Sequence, residues 1–384
     1  MLNLGMSRED FMANYYAREA YVARRAAIDH GVTWSTFDDV LFCVDPHSGD
    51  IQLFRDGRVP GHVYADTFDD VGRRSTKLTM SIVEDILRNG ATLVLNRIDA
   101  KSRVINDLAR MVSTFVGART VANAYVAFGG MGSFGKHWDT HDVFAMQLIG
   151  QKRWRIYPPT FHAPISGQTS AGKKHECPET PFLDICTSSG DVIYIPRGWW
   201  HEALPVEGQE TAHIAVGVHP YHVIDYVSWC CAHVLPAFEP LRQVMGNSPA
   251  SSAPCGDTVD IIATSILDEE NVAKFNEWTL SRDRTRVISN LASIGNEDGL
   301  LHRDGDLVLN ARMHPRVRGN KLIINGVSLS ADESSLEFVE SLWNGERGGV
   351  DDILESLPPE GRATARELLR NLIRGGVCSI RSGA

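Results

Sequence analysis

A chain of 384 residues is longer than one ordinary core organises, so two domains, or one large domain with an appendage, are expected. Its composition, 43% hydrophobic and 22% charged, is that of an ordinary soluble protein, and no apolar run approaches the ~20 residues of a membrane span. The net charge of −10 argues mildly against nucleic acid and for a neutral or basic partner. The N-terminal MLNLGMSREDFMANYYARE turns charged almost at once and has no apolar signal core, which sets the expectation of a cytoplasmic protein. The seven cysteines (Cys43, Cys177, Cys186, Cys230, Cys231, Cys255 and Cys378) are odd in number and lack C-x-x-C spacing. They indicate neither a disulfide framework nor a thiolate zinc site, so any metal would be held by His and carboxylate.

In chain order, residues 7–28 read as a helix opened by Ser7. VLFCV (40–44) and IQLF (51–54) read as short strands between turn signals, followed by a helix near 79–89 that Gly90 ends. ATLVLNRI reads as a buried strand and residues 104–116 as an amphipathic helix. From about 120 to 220 short β-rich runs recur: VANAYVAF, DVFAMQLIG, KRWRIY, DVIYIP and TAHIAVGV, with Gly, Pro and Ser between them. That rhythm predicts an antiparallel sandwich or barrel rather than a βαβ sheet. Beyond Tyr221 the pattern turns helical, SSAPCGD (251–257) reads as a linker, and a second helical stretch runs to about 294. The last ninety residues mix two strands, DLVLNARM and KLIINGVSL, with three short helices, SSLEFVESLW, VDDILESL and ATARELLRNLIRGG.

The chemistry gathers around Gly135-Lys136-His137-Trp138-Asp139. In a strand, residues i and i+2 share a face, so His137 and Asp139 project together and Trp138 opposes them. One imidazole and one carboxylate are two-thirds of the 2-His-1-carboxylate site of non-haem Fe(II). The pattern alone is weak, and a second copy exists at His302-Arg303-Asp304, which we read as an exposed turn. What distinguishes the first copy is DVIYIPRGWWHEA, a buried strand and a Pro-Arg-Gly turn that bring His201 back across a small barrel. Alone, His201 reads as a core histidine satisfied by a backbone carbonyl; with the 137/139 pair on a predicted barrel, the ligand reading is favoured. A keto-acid co-substrate with a buried distal carboxylate would also need a fixed cation. Lys152 is a candidate, the alternative being that Lys152, Arg153 and Arg155 are edge charges.

HWDTHDVFAMQLIGQKRWRIYPP followed by GDVIYIPRGWWHEA resembles the Jumonji-C/cupin family of 2-oxoglutarate oxygenases, closest to the ribosomal oxygenases that hydroxylate ribosomal-protein side chains. The likeness extends through NGATLVLNRID, VANAYVAFGGMGSFGKH and DFMANYYAREAYVARR, covering roughly residues 8–220. The resemblance implies an α+β protein: a double-stranded β-helix (jelly-roll/cupin) barrel with flanking helices over 1–220, a helical dimerisation region over 221–290, and a small winged-helix-like domain over 291–384. It implies His137, Asp139 and His201 as iron ligands and Lys152 as the cation for 2-oxoglutarate. Asn123 and His213 fall at positions that help hold the co-substrate. Residues 291–384 carry 11 Lys+Arg and 14 Asp+Glu, so a DNA-binding winged helix is not expected.

The activity so implied is Fe(II)- and 2-oxoglutarate-dependent hydroxylation of a protein or peptide side chain, with O2 consumed and succinate and CO2 released, by a homodimer that binds neither membrane nor nucleic acid. The same chemistry on a natural-product peptide, a free amino acid, a tRNA base or an N-methyl group is one rival. A catalytically inactive cupin-type binding protein is another, and a regulator using the C-terminal domain is a third. The polar stretch between Tyr157 and Cys186, with its Lys173-Lys174-His175 cluster, is read either as a substrate entrance or as a surface loop.

Overall fold

The computed structural model describes residues 2–130, 134–244, 256–283, 305–311, 314, 316–318, 321–330, 333–343 and 349–381. The chain divides into two compact units, Met1–His219 and Pro220–Ala384.

The first unit runs α1 (Arg8–Asn14), β1 (Tyr21–Ala23), α2 (Trp34–Cys43), β2 (Ile51–Phe54), β3 (Ala65–Asp70), β4 (Arg73–Leu78), α3 (Met80–Arg88), β5 (Thr92–Leu95), α4 (Arg103–Val116), β6 (Arg119–Phe128), β7 (Asp142–Tyr157), β8 (Leu183–Ser188), β9 (Val192–Ile195), β10 (Trp200–Pro205) and β11 (Glu210–His219). Its main sheet has the order β1-β9-β7-β11-β6-β5-β2, every neighbouring pair antiparallel. The antiparallel prediction therefore holds. The second half of β7 leaves that sheet and pairs with β8 on one side and β10 on the other.

DVFAMQLIG and KRWRIY are thus one strand, bent between them, where two were expected. The bend is at Gly150, whose φ is +64° and whose absent Cβ would lie 1.9 Å from the Glu210 carbonyl oxygen. Only glycine allows both that backbone angle and that approach. The pairing of β11 with β7 shifts register between Ala212 and His213, next to this bend. Helix α4 buries Ile105, Leu108, Val112 and Val116, at the three- and four-residue spacing of one helical face. These join Leu53, Leu95, Phe144, Tyr194 and Ile214 in the main core.

Two other elements differ from expectation. Ser7 caps α1 as predicted, its hydroxyl accepting from Asp10 N at 3.0 Å, but the helix stops at Asn14. Ala17 and Arg25 take positive φ, and Tyr21–Ala23 is drawn into pairing with Val192–Tyr194. VLFCV lies within helix α2, not a strand; Phe37 and Val40, one turn apart, are buried there.

The second unit contains α5 (Val223–His233), α6 (Gly256–Leu267), α7 (Glu269–Ser281), β12 (Asp306–Leu309), β13 (Arg316–Arg318), β14 (Lys321–Ile324), β15 (Val327–Ser330), α8 (Glu333–Trp343), α9 (Val350–Ser356), α10 (Arg362–Arg374) and β16 (Cys378–Arg381). KLIINGVSL is a hairpin rather than one strand, turning at Asn325-Gly326, both with positive φ. Most of the predicted linker (residues 251–255) and the end of the second helical stretch (284–294) lie outside the described residues. Among the described residues no helix is long and apolar enough to cross a membrane.

Candidate metal centre

His137 lies in the short crossing between β6 and β7, opposite His201 on β10, and the two exchange both backbone hydrogen bonds (N···O 3.1 and 2.8 Å). That single bridge fixes the separation of the two rings, whose centroids are 4.3 Å apart. Asp139, two residues on, presents Oδ2 3.5 Å from His201 Nε2. One ligand atom from each of His137, Asp139 and His201 lies within 4.8 Å of the others.

The ring tautomers follow from the hydrogen bonds. His137 Nδ1 lies 2.9 Å from the Gly135 carbonyl oxygen, and His201 Nδ1 lies 3.1 Å from that of Trp199. A carbonyl can only accept, so each Nδ1 carries the proton and each Nε2 keeps its lone pair for a metal. Burial would raise the Asp139 carboxyl, but His201, His137 and His141 outweigh it and hold the group below its ordinary value. Burial, reinforced by His137 and opposed by Asp139, pushes His201 down to about 4, so its ring is neutral at physiological pH. A neutral His201 imidazole beside an ionised carboxylate is the state a divalent cation requires.

Behind the triad is a cavity of about 90 Å³, lined by all three ligand candidates and by Lys152, Trp154 and His213, among others. Lys152 is only 3% exposed, and burial alone depresses its ammonium to about 8. No carboxylate pairs with it among the described residues. His213 stacks on Tyr125 (centroids 4.9 Å, 10°), and its buried Nδ1 has no hydrogen-bond partner among the described residues. Burial first, and then Lys152, hold it far below the usual histidine range, so it is neutral. A cation and an orphaned ring nitrogen facing one enclosed space fit an anionic ligand that reaches inward from the metal.

The five residues His137, Asp139, His201, Lys152 and His213 therefore come together. Asn123 does not line the cavity. Its Oδ1 accepts from Arg97 N at 2.9 Å, and its side chain hydrogen-bonds the Tyr125 hydroxyl. Tyr125 is on the wall and was missed in the sequence, although the alternation of VANAYVAF puts it on the same face as Asn123. Burial, then the Asp139 charge, raise its hydroxyl to about 12, against the hydrogen bond from Asn123. Thr92 and Phe134 also line the wall and carry no motif that marks them. The second His-x-Asp, His302 and Asp304, lies outside the described residues.

The comparisons with known proteins agree with this arrangement of an antiparallel sheet and a His-Asp-His cluster. Residues 94–226 match the JmjC domain. It is homologous to ribosomal oxygenase 1 of Gallus gallus, 27% identical over 217 residues, 54% of this chain and 34% of that protein. It is also homologous to the bifunctional lysine-specific demethylase and histidyl-hydroxylase NO66 of Drosophila erecta, 24% identical, covering 54% of this chain and 31% of that protein. The chain thus spans about a third of the length of these curated relatives. Among solved structures, the ribosomal oxygenase YcfD of Escherichia coli in complex with cobalt and 2-oxoglutarate shares the fold, with a TM-score of 0.63 at 15% identity over 99% of both chains.

Proposed function

We propose that this protein is an Fe(II)- and 2-oxoglutarate-dependent oxygenase that hydroxylates an amino-acid side chain of a protein substrate, a ribosomal protein being the first class to test. The observation that carries this reading is Lys152, a buried ammonium on the wall of the cavity that also holds the metal-ligand cluster, with no carboxylate paired to it among the described residues. The protein bears the cost of desolvating that charge, and a bound anion would offset it. The activities for which the relatives are named support the reaction class, and the cobalt and 2-oxoglutarate complex of YcfD supports the ligand set.

In this reading His137, Asp139 and His201 hold iron on one face, and Lys152 pairs with the distal carboxylate of 2-oxoglutarate. His213 Nδ1 and the protonated Tyr125 hydroxyl supply further polar contacts on the same wall, while Asn123 holds Tyr125 in place. Iron supplies the redox chemistry: 2-oxoglutarate, O2 and a C–H bond give succinate, CO2 and a C–OH bond. Trp154, Val143, Ala203 and Ala215 exclude water from around those groups.

The nine-stranded sheet supports a double-stranded β-helix for the first unit. For the described part of residues 221–290 we propose a dimerisation region: Val223, Ile224, Val259 and Leu267 are exposed there, and an open cleft of about 820 Å³ lies among the same helices. The described part of residues 291–384 has the strand and helix content of a small winged-helix-like domain, and its net acidity supports a structural or substrate-gripping role.

The test is anaerobic addition of Fe(II) and 2-oxoglutarate, followed by air and a panel of ribosomal proteins. The reading expects the visible charge-transfer band of the chelate and a one-oxygen mass gain on one panel member. Absence of the band overturns it. Because the NO66 relatives are also named demethylases, methyl-lysine peptides belong in the same assay. Formaldehyde release in place of a mass gain would move the substrate to an N-methyl group.

A further inference from the structure

Among the described residues, the crossing that carries His137 and Asp139 has a neighbouring strand on one side only. His137 exchanges its backbone bonds with His201, and the Asp139 carbonyl accepts from Gly198 N at 3.0 Å. By alternation, the N–H and C=O of Trp138 point the other way, where no strand lies among the described residues. Trp138 is 3% exposed, so water does not serve them, and leaving both unpaired would be costly. One hydroxyl takes both: Ser170 Oγ accepts from Trp138 N at 3.2 Å and donates to Trp138 O at 3.1 Å.

Ser170 ends a stretch, residues 160–170, that grips both ligand-bearing segments from behind. Phe161 stacks on the Trp138 ring (5.6 Å, 10°), between His137 and Asp139 in sequence. Trp200, immediately before His201, donates its Nε1–H to Thr160 Oγ1 at 2.9 Å. Arg197 Nη1 donates to the Pro164 carbonyl at 3.2 Å. The stretch presses so closely on the turn before β10 that a Cβ at Gly198, whose φ is +84°, would lie 2.5 Å from the Phe161 carbonyl oxygen. The two tryptophans face outward into this grip, and the ligands on the same segments face inward to the cavity.

We propose that residues 160–170 are a positioning strap for the metal centre, with Ser170 its decisive residue: by replacing a missing strand edge at Trp138 it fixes the spacing of His137 and Asp139 against His201. The inference rests on the metal-site reading above. A general surface cover would not need to place its polar bonds on the residues flanking each ligand, as this stretch does. Outer partners that orient metal ligands typically govern affinity by ten- to a hundredfold.

The test is calorimetric titration of the full-length protein with Co(II), well below its melting temperature, in wild type, Ser170→Ala and Ser170→Thr, with metal-free melting curves alongside. The strap predicts Co(II) binding weakened about tenfold in Ser170→Ala, an altered visible d–d spectrum, and near-wild-type affinity in Ser170→Thr, which keeps the hydroxyl. Unchanged Co(II) affinity in Ser170→Ala, whatever its melting temperature, overturns the strap and leaves the metal centre standing. No Co(II) binding by the wild type overturns both. Should Ser170→Ala fail to fold, Thr160→Val, which removes the hydroxyl that accepts from Trp200 at the other end of the same grip, decides the question by the same readout.

Discussion

On the inward face of β7, Lys152 and Trp154 line a cavity where the ammonium neighbours the neutral His213 ring and pairs with no carboxylate among the described residues. On the outward face of the same strand, Arg153 binds Asp184 through two bonds of 2.7 Å, and Arg155 lies between Asp184 (3.3 Å) and Glu202 (3.4 Å). Adjacent residues thus carry like charges under opposite rules. Outside, each cation is matched by an anion on a neighbouring strand, as an edge surface requires. Inside, Lys152 has no such match among the described residues, and a diacid co-substrate would supply one. Charge in the wall serves the sheet, and charge in the cavity serves a ligand.

The largest effect should come from breaking the inward set at the triad. Asp139→Ala removes the anionic ligand and leaves only the two imidazoles, so turnover should fall by more than the roughly 100-fold that losing an outer partner costs. Circular dichroism should remain that of the wild type, because Asp139 is half-buried and its backbone bond to Gly198 stays. A variant that folds and retains turnover would remove the carboxylate from the site.

Lys152 sharpens the contrast because its substitution should move two readouts in opposite directions. Lys152→Met removes a buried charge, so the metal-free protein should melt a few degrees higher. The KM for 2-oxoglutarate should rise about 100-fold or more, since the distal carboxylate would lose its partner. The pH dependence carries the same sign. With the ammonium pushed down to about 8, raising the pH through that value deprotonates free Lys152 and weakens co-substrate binding by up to about tenfold per pH unit. Stability moves the other way, because the unfolded lysine holds its proton to higher pH: the desolvation penalty is full below about 8 and fades as the pH rises above it. Titrating 2-oxoglutarate binding by calorimetry between pH 7 and about 9.5 checks the first part, and Lys152→Arg should flatten it, guanidinium staying charged throughout. A lower KM, or a lower melting temperature with unchanged KM, would return Lys152 to the ordinary wall charges.

How much of this was legible follows from the range of the interactions. The 137/139 pair, Lys152 and the return to His201 could be read because two-residue alternation and a Pro-Arg-Gly turn are local signals. Tyr125 was readable by the same alternation and was passed over beside Asn123. The strand Tyr21–Ala23 was not readable: its sequence continues a helical pattern, and only pairing with Val192–Tyr194, some 170 residues later, makes it β. VLFCV failed for the converse reason, since a short apolar run suits a strand or a helix until its burial partners are known. The hydroxyl of Ser170 has no signature at all. Its worth depends on a backbone edge 32 residues upstream, which needs a partner only once the sheet has formed.

The smallest expected effect tests the outward half of the comparison. Arg153 and Asp184 make a two-pronged contact, yet both stand at the solvent-facing side of β7 and β8, where water screens the attraction and ordering two long side chains opposes it. Burial is negligible for Arg153, and the Asp184 carboxyl is held below its usual range first by its hydrogen bond with Arg153. Arg153→Ala should therefore change the melting temperature by no more than a degree or two and leave 2-oxoglutarate affinity within about twofold of wild type. Salt should shrink even that small difference, because an exposed pair is screened while Lys152 in the cavity is not. If Arg153→Ala instead raised the KM as Lys152→Met is expected to, the two faces of β7 would not be electrically separate, and the cavity charge could not be assigned to Lys152 alone.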